Sequence, residues 1–277
     1  MANHGYISRN GVSTFEELVN AMMEAFNLDV HFAAGLAAIN MLTRVTGGIA
    51  KHGRFEGDVS LTRADAFIGD NRHFQNKLYD LDLLQLGKFG DNGPDGNNTV
   101  FNVQTLIGME KQLFALDQAA NPKFEFAARR MNAAYGQAAF LLNMFANGTT
   151  KQATLPIIGS FLRNETFPPN WSRAAAPVTG GFNAATVNQI LAAIPTPPGR
   201  NNAQGVYVAD PIPPAPFNSS FACIAYYNQA ANTPGVLVNT TGIFKKNVDL
   251  LTGILFAAAS ANPGCTQQVL PFGPAGV

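Results

Sequence analysis

Within the run Arg54-Phe55-Glu56-Gly57-Asp58-Val59-Ser60-Leu61-Thr62-Arg63-Ala64-Asp65, a carboxylate, a turn glycine and a hydroxyl fall within five residues. Oxygens spaced in this way can gather around a hard cation. The same residues also suit a Glu-Gly-Asp turn that caps a helix over Ser60 to Ile68. A second constellation joins Arg130 to Gln137: seven residues make nearly two helical turns, so both side chains project from one face. Arg130 there is either a pocket cation or a surface charge beside Arg129. The imidazoles are His4, His31, His52 and His73, and structural histidines are commoner than ligands. Cys223 and Cys265 are the only cysteines, open to reading as a bridge or as two separate buried thiols. No Walker loop, dinucleotide fingerprint, HExxH sequence, Cys-rich zinc pattern or nucleophile elbow occurs.

Helices must position these groups. Ser13-x-x-Glu16 and Thr14-x-x-Glu17 are capping-box patterns, followed by Phe15, Leu18, Val19, Met22 and Phe26 at helical spacing. Similar periodicity predicts helices over Phe32 to Leu42, Phe74 to Leu84, Val103 to Leu116, Phe126 to Phe145, Leu155 to Leu162, Val187 to Ile194 and Ile243 to Ala259. Strand-like alternation is sparse. Loops are expected at Gly87 to Asn98, Phe167 to Gly181 and Pro195 to Pro216, the last with prolines that forbid regular helix. The chain therefore reads as mainly α with long Pro/Gly-rich loops and little β. A single domain is expected over 1–277, with a Pro-rich excursion at 195–241 and a C-terminal helix segment at 242–277.

Composition narrows the partners. Eighteen basic and eighteen acidic residues cancel and form no basic cluster, which argues against nucleic acid or an anionic membrane surface. Charged residues make up only 13% of the chain, a share that suits a secreted protein better than a cytosolic one. Six Asn-x-Ser/Thr sequons, at Asn97, Asn147, Asn164, Asn170, Asn218 and Asn239, point to a secreted glycoprotein. The start, Met1-Ala2-Asn3-His4-Gly5, has neither a basic leader nor an apolar segment, so a mature or N-terminally truncated form, or one lacking an export signal, is expected. No stretch reaches the roughly 18 apolar residues of a membrane span.

Asn3-His4-Gly5-Tyr6, the run from Arg54 through Asn71, and Ala134-Tyr135-Gly136-Gln137 together resemble the secreted fungal heme-thiolate peroxidases, the group of chloroperoxidase and the long unspecific peroxygenases. The resemblance implies a chloroperoxidase-like helical fold, a heme b cofactor, and hydrogen-peroxide-dependent oxygen transfer to, or one-electron oxidation of, small apolar or aromatic substrates. It implies a magnesium ion held by Glu56, the carbonyl of Gly57, and Ser60. Arg130 and Gln137 match the arginine and the acid-base glutamate above the heme, with the acid replaced by an amide that cannot accept and return a proton. Phe55 and Phe140 match channel positions, and Leu28, Gly35 and Asn132 stand where the family often has phenylalanine. Pro263-Gly264-Cys265-Thr266-Gln267 looks like the family's C-terminal disulfide segment, which pairs Cys223 with Cys265. The family's iron ligand is a cysteine in a Pro-Cys-Pro loop ahead of the Asn-His-Gly segment, so it falls outside this sequence. The alternative expectation is a heme-free, catalytically inactive relative that acts as a binding or structural protein.

Overall fold

The computed structural model describes residues 1–10, 12–42, 59–65, 67–71, 73–231, 239–261 and 265. The protein is mainly helical with little sheet, as the sequence pattern predicts. Its contacts divide it into two compact units, one formed by 1–51, 179–181 and 211–277, the other by 52–178 and 182–210.

In the first unit, α1 (Phe15–Phe26) starts at a complete capping box: Glu17 N donates to Thr14 Oγ1 at 3.1 Å, and Thr14 N donates to Glu17 Oε2 at 2.7 Å. Asn27, in the left-handed region at φ 54°, ends it. The next helix, α2 (Val30–Leu42), opens on Asp29, whose Oδ1 accepts from His31 N at 2.9 Å. α2 buries small residues, Ala33, Gly35, Ala37 and Ala38, which lets the C-terminal helix come close. That helix, called α9 here (Gly242–Ser260), packs on α2 and on α8 (Phe221–Ala231). A Cβ added to Gly35 would lie 2.5 Å from Ala258 Cβ, so the crossing requires glycine. The core includes Leu42, Phe217, Tyr226, Val248 and Leu255 around the Cys223–Cys265 disulfide. The pairing implied by the resemblance is thus present. α8 lies inside the segment expected to be a Pro-rich excursion, because no proline falls between Pro216 and Pro234 and Phe221 to Ala231 can coil.

The second unit holds α3 (Asn76–Phe89), α4 (Val103–Ala120), α5 (Ala128–Asn143), α6 (Leu155–Leu162) and α7 (Gly180–Ala193) from Phe182 onward. A short hairpin joins α3 to α4, pairing β1 (Asp91–Asn92), within the loop expected over Gly87 to Asn98, with β2 (Asn98–Val100), which starts at that loop's last residue. Asn102 caps α4, its Oδ1 accepting from Thr105 N at 2.9 Å. Gly108 lets α3 and α4 approach, since a Cβ there would meet Gln85 Oε1 at 2.7 Å. β3 (Glu125–Phe126), β4 (Gly199–Asn201) and β5 (Tyr207–Ala209) form an antiparallel sheet. β4 and β5 lie in the expected loop Pro195 to Pro216, between the prolines that bar ladder donors. Phe114, Phe124, Phe126 and Tyr207 pack edge-on, tilted or stacked with centroids 5.2–6.0 Å apart, which fixes the sheet on α4. α7 starts earlier than its apolar spacing predicts, and Asn143 Nδ2 ties it to α5 by donating to Asn183 Oδ1 and Thr186 Oγ1, both at 3.1 Å.

Of the sequons, Asn97, Asn164, Asn170, Asn218 and Asn239 are exposed. Asn147 is buried, and its Nδ2 donates to Asn170 O at 3.0 Å, so in the folded state that amide is engaged.

A side chain at Gly35 must push α2 off α9. Gly35→Val should destabilise the first unit by about 1–3 kcal/mol. Chemical denaturation followed by circular dichroism measures this, and an unchanged midpoint would contradict the close crossing.

Candidate functional site

Of the run expected from sequence to hold a cation, Phe55, Glu56 and Gly57 lie outside the described residues; Ser60 is half-buried. The residues after it do not form the helix offered as an alternative. Ser60 to Asp65 is a sequence of bends and open chain. Val59 explains the local path: it sits at φ 58°, a left-handed conformation that costs a β-branched residue about 1–3 kcal/mol. Its amide donates to Asp117 Oδ2 of α4 at 2.6 Å, and its side chain is buried. Six residues on, Asp65 is buried and doubly held: Phe67 N donates to Oδ1 at 2.6 Å, and Asn121 Nδ2 donates to Oδ2 at 2.9 Å. Gln75 N donates to Thr62 O at 2.9 Å, and Arg63 pairs with Glu165 at 2.8 Å. The stretch around Ser60 is therefore a loop fixed to the end of α4 by side-chain acceptors.

Asp117 carries this anchor at a cost. Burial pushes its carboxyl up to about 7; the Val59 amide lowers it and the charge of Asp65 raises it further. Sequence reasoning about the site passed over Asp117. The available signal was its place on the apolar stripe of α4 with Leu106, Met109 and Leu113, where an acid needs a partner.

α5 carries the second constellation. Arg130 and Gln137 are both half-buried on it, and Phe140 is half-buried one turn beyond Gln137. Glu125 of β3 lies at the start of this helix: its Oε1 is 3.1 Å from Arg129 Nη2 and 3.8 Å from Arg130 Nε. One carboxylate thus approaches two adjacent guanidinium groups. Burial, and then the charge of Arg130, lower the Arg129 pKa. Arg200 of β4 adds a third cation near this end of the helix, neutralised by Asp210 at 2.7 and 3.0 Å in a bidentate pair. The carboxamide of Gln137 makes no hydrogen bond among the described residues and can donate to and accept from a bound molecule. Tyr135, on a different face of α5, is core: its ring lies 5.8 Å from Phe126, and burial with the charge of Glu110 drives its hydroxyl pKa upward. An open depression of about 440 Å³ beside the sheet is lined by Lys123, Glu125, Arg200 and Asn201, and by neither Arg130 nor Gln137.

The phenylalanine-replacing positions have separate environments. Leu28 is buried and Gly35 is filled by Ala258, both in the first unit; Asn132 is exposed on α5 in the second. His4, His31 and His73 are exposed, and His52 lies outside the described residues. Among the described residues no three His, Cys, Asp or Glu side chains gather as a metal-ligand set. A thiolate-ligated heme does not fit residues 1–277 alone, because both sulfurs are consumed in the Cys223–Cys265 bridge and no cysteine is free.

The family model described as Peroxidase, family 2, matches residues 1–176. The chain is 31% identical to the Aromatic peroxygenase of Cyclocybe aegerita over 304 aligned positions, covering 99% of this chain and 77% of that protein. It is 28% identical to the Aromatic peroxygenase of Coprinellus radians over 53% of this chain and 64% of the relative. It is 29% identical to the Dothistromin biosynthesis peroxidase dotB of Dothistroma septosporum over 44% and 41% respectively.

If Asp117 holds the loop, Asp117→Ala should raise the amide exchange rate of Val59 roughly tenfold or more, the cost of one charge-assisted hydrogen bond. Asp117→Asn keeps an acceptor oxygen and should raise it less. Equal protection in all three proteins by hydrogen-exchange mass spectrometry would remove Asp117 from this role.

Proposed function

The chain belongs to peroxidase family 2, and on that premise we propose that it oxidises small apolar or aromatic molecules at the expense of hydrogen peroxide, by oxygen transfer or by one-electron oxidation. The observation that carries this reading is the half-buried pair Arg130 and Gln137, seven residues apart on α5, with the Gln137 amide free to meet a ligand. Arg130 supplies a fixed positive charge beside a peroxide oxygen, which stabilises negative charge as the oxygen–oxygen bond breaks. Gln137 orients peroxide by hydrogen bonds, but its amide neither takes nor returns a proton near neutral pH. Phe140, and Phe55 by the family resemblance, would supply apolar surface to apolar or aromatic substrates. Glu56, the Gly57 carbonyl and Ser60 are the oxygen donors that would hold magnesium. Heme b is the redox group that the family implies; a thiolate for its iron must come from outside residues 1–277.

Extracellular localisation is supported by the disulfide and by five exposed sequons. Among the described residues no helix is long and apolar enough to cross a membrane.

A second reading, a heme-free and inactive relative that serves as a binding or structural protein, is favoured by two features together: Gln137 at the acid-base position and the occupation of both sulfurs.

The experiment compares the chain carrying an added upstream Pro-Cys-Pro segment, with and without Gln137→Glu, after loading with hemin. Restoring a positioned acid-base group should raise peroxide-dependent turnover of an aromatic reporter by about 10² to 10⁴. Arg130→Ala should cancel the gain. Failure of both proteins to bind hemin, judged by the visible spectrum, favours the heme-free relative; hemin binding with no response to Gln137→Glu removes Gln137 from the acid-base position.

A further inference from the structure

Asp82 on α3 and Glu110 on α4 face the interior of the second unit, each 1% exposed. All of their oxygens, Asp82 Oδ1 and Oδ2 and Glu110 Oε1 and Oε2, are buried without a hydrogen-bond partner. Burial is the chief influence on the Asp82 carboxyl and the charge of Glu110 is the next, so the two sit within electrostatic reach of each other where α3 packs on α4. The surroundings offer no relief. Asp117, two turns along the same face of α4, adds negative charge to Glu110, and Asp65 from the loop adds to Asp117. Tyr79 on α3 and Tyr135 on α5 are the neighbouring hydroxyls, and both are themselves pushed up by burial. Arg163, at the end of α6, stands over the Tyr79 ring at 5.2 Å, but among the described residues no cation is an influence on Asp82 or Glu110.

Two ionised carboxylates cannot share a buried, donor-free space; one at least must be neutral. We propose that Asp82 and Glu110 form a proton-holding pair that locks α3 to α4 in acidic and neutral surroundings and releases the packing in alkaline ones. On release the proton passes to solvent water and two anions are left facing each other in the interior. The device belongs to this unit's architecture and does not depend on which oxidation the protein performs.

The sign follows from proton binding. An unfolded glutamic acid titrates near 4.5, whereas burial pushes Glu110 up to about 8 and raises Asp82 well above its ordinary range. Between those values the folded state holds the proton more tightly than the unfolded chain. Stability is therefore fully present below the unfolded values and is lost as pH rises through the folded ones.

The test is thermal unfolding of the full chain from pH 5 to pH 9, with Glu110→Gln and Asp82→Asn alongside. The wild-type Tm should fall by roughly 5 °C or more across that range. Each variant should flatten the slope and melt above wild type at the alkaline end. Infrared spectra of the wild type, which do not depend on either variant folding, should contain the carbonyl stretch of a protonated carboxylic acid at pH 6 that disappears toward pH 9. Absence of that band at pH 6, or an undiminished Tm slope in both variants, overturns the proposal. So does a rise in wild-type Tm on adding magnesium or calcium at neutral pH that Glu110→Gln abolishes, because the pair would then hold a cation and not a proton.

Discussion

Carboxylates on the inward face of α4 must each be answered in an interior that dissolves charge poorly, and the second unit is arranged around how that demand is met. Asp117 is answered by the amide of Val59, a bond good enough to hold a β-branched residue in the left-handed region. Asp65 is answered by Asn121, just beyond the end of the same helix, and by the amide of Phe67. Together they tie the residues around Ser60 to Asp117 and Asn121. Glu110, on the same stripe, has no donor and faces another acid, so a proton is the remaining answer. α4 is thus both a packing element and an electrostatic one. Its apolar neighbours Leu106, Met109 and Leu113 exclude the water that would otherwise screen these groups.

Much of the helical framework is legible in the sequence because local chemistry and burial agree there. Thr14 and Glu17 announce the start of α1, and the structure makes both bonds of the capping box. The apolar spacing of Leu155 to Leu162 coincides with α6, and that of Ile243 to Ala259 falls within α9 by one residue at each end. Legibility fails where tertiary contacts decide. α7 begins at Gly180, where two glycines argue against helix, yet Asn183 and Thr186 find partners in Asn143 only if the segment is coiled. β4 and β5 carry no strand pattern, and their pairing comes from packing Tyr207 against Phe114 and Phe124. α8 is a helix of small and aromatic residues around Cys223, hidden from a periodicity reading by the prolines just before it.

The candidate site is legible to a lesser degree, for a related reason. Motif residues identify Ser60, Arg130 and Gln137, but the groups that fix them are scattered: Asp117 lies 58 positions after Val59, and Glu125 reaches Arg129 and Arg130 from a two-residue strand. An acid within an apolar stripe is a readable warning that a distant donor or a proton is required, though not which one. Glu125 also sets the electrostatics at the start of α5. Its carboxylate lies within ion-pair distance of both Arg129 and Arg130.

Sulfur is settled by competition between two uses. A metal-ligating cysteine must be present as a thiolate with a free lone pair directed at the metal. Cys223 and Cys265 are instead bonded to each other across a separation of 42 residues, inside a core formed with Phe217, Tyr226, Val248 and Leu255. Closing a loop of that length restricts the unfolded chain by about 4 kcal/mol. Freeing either sulfur for iron would forfeit that stabilisation and leave a cavity where the bridge now packs. The bridge therefore binds the C-terminal segment to α8 as a structural element, and it does so most effectively in an oxidising compartment where no thiol pool competes for it.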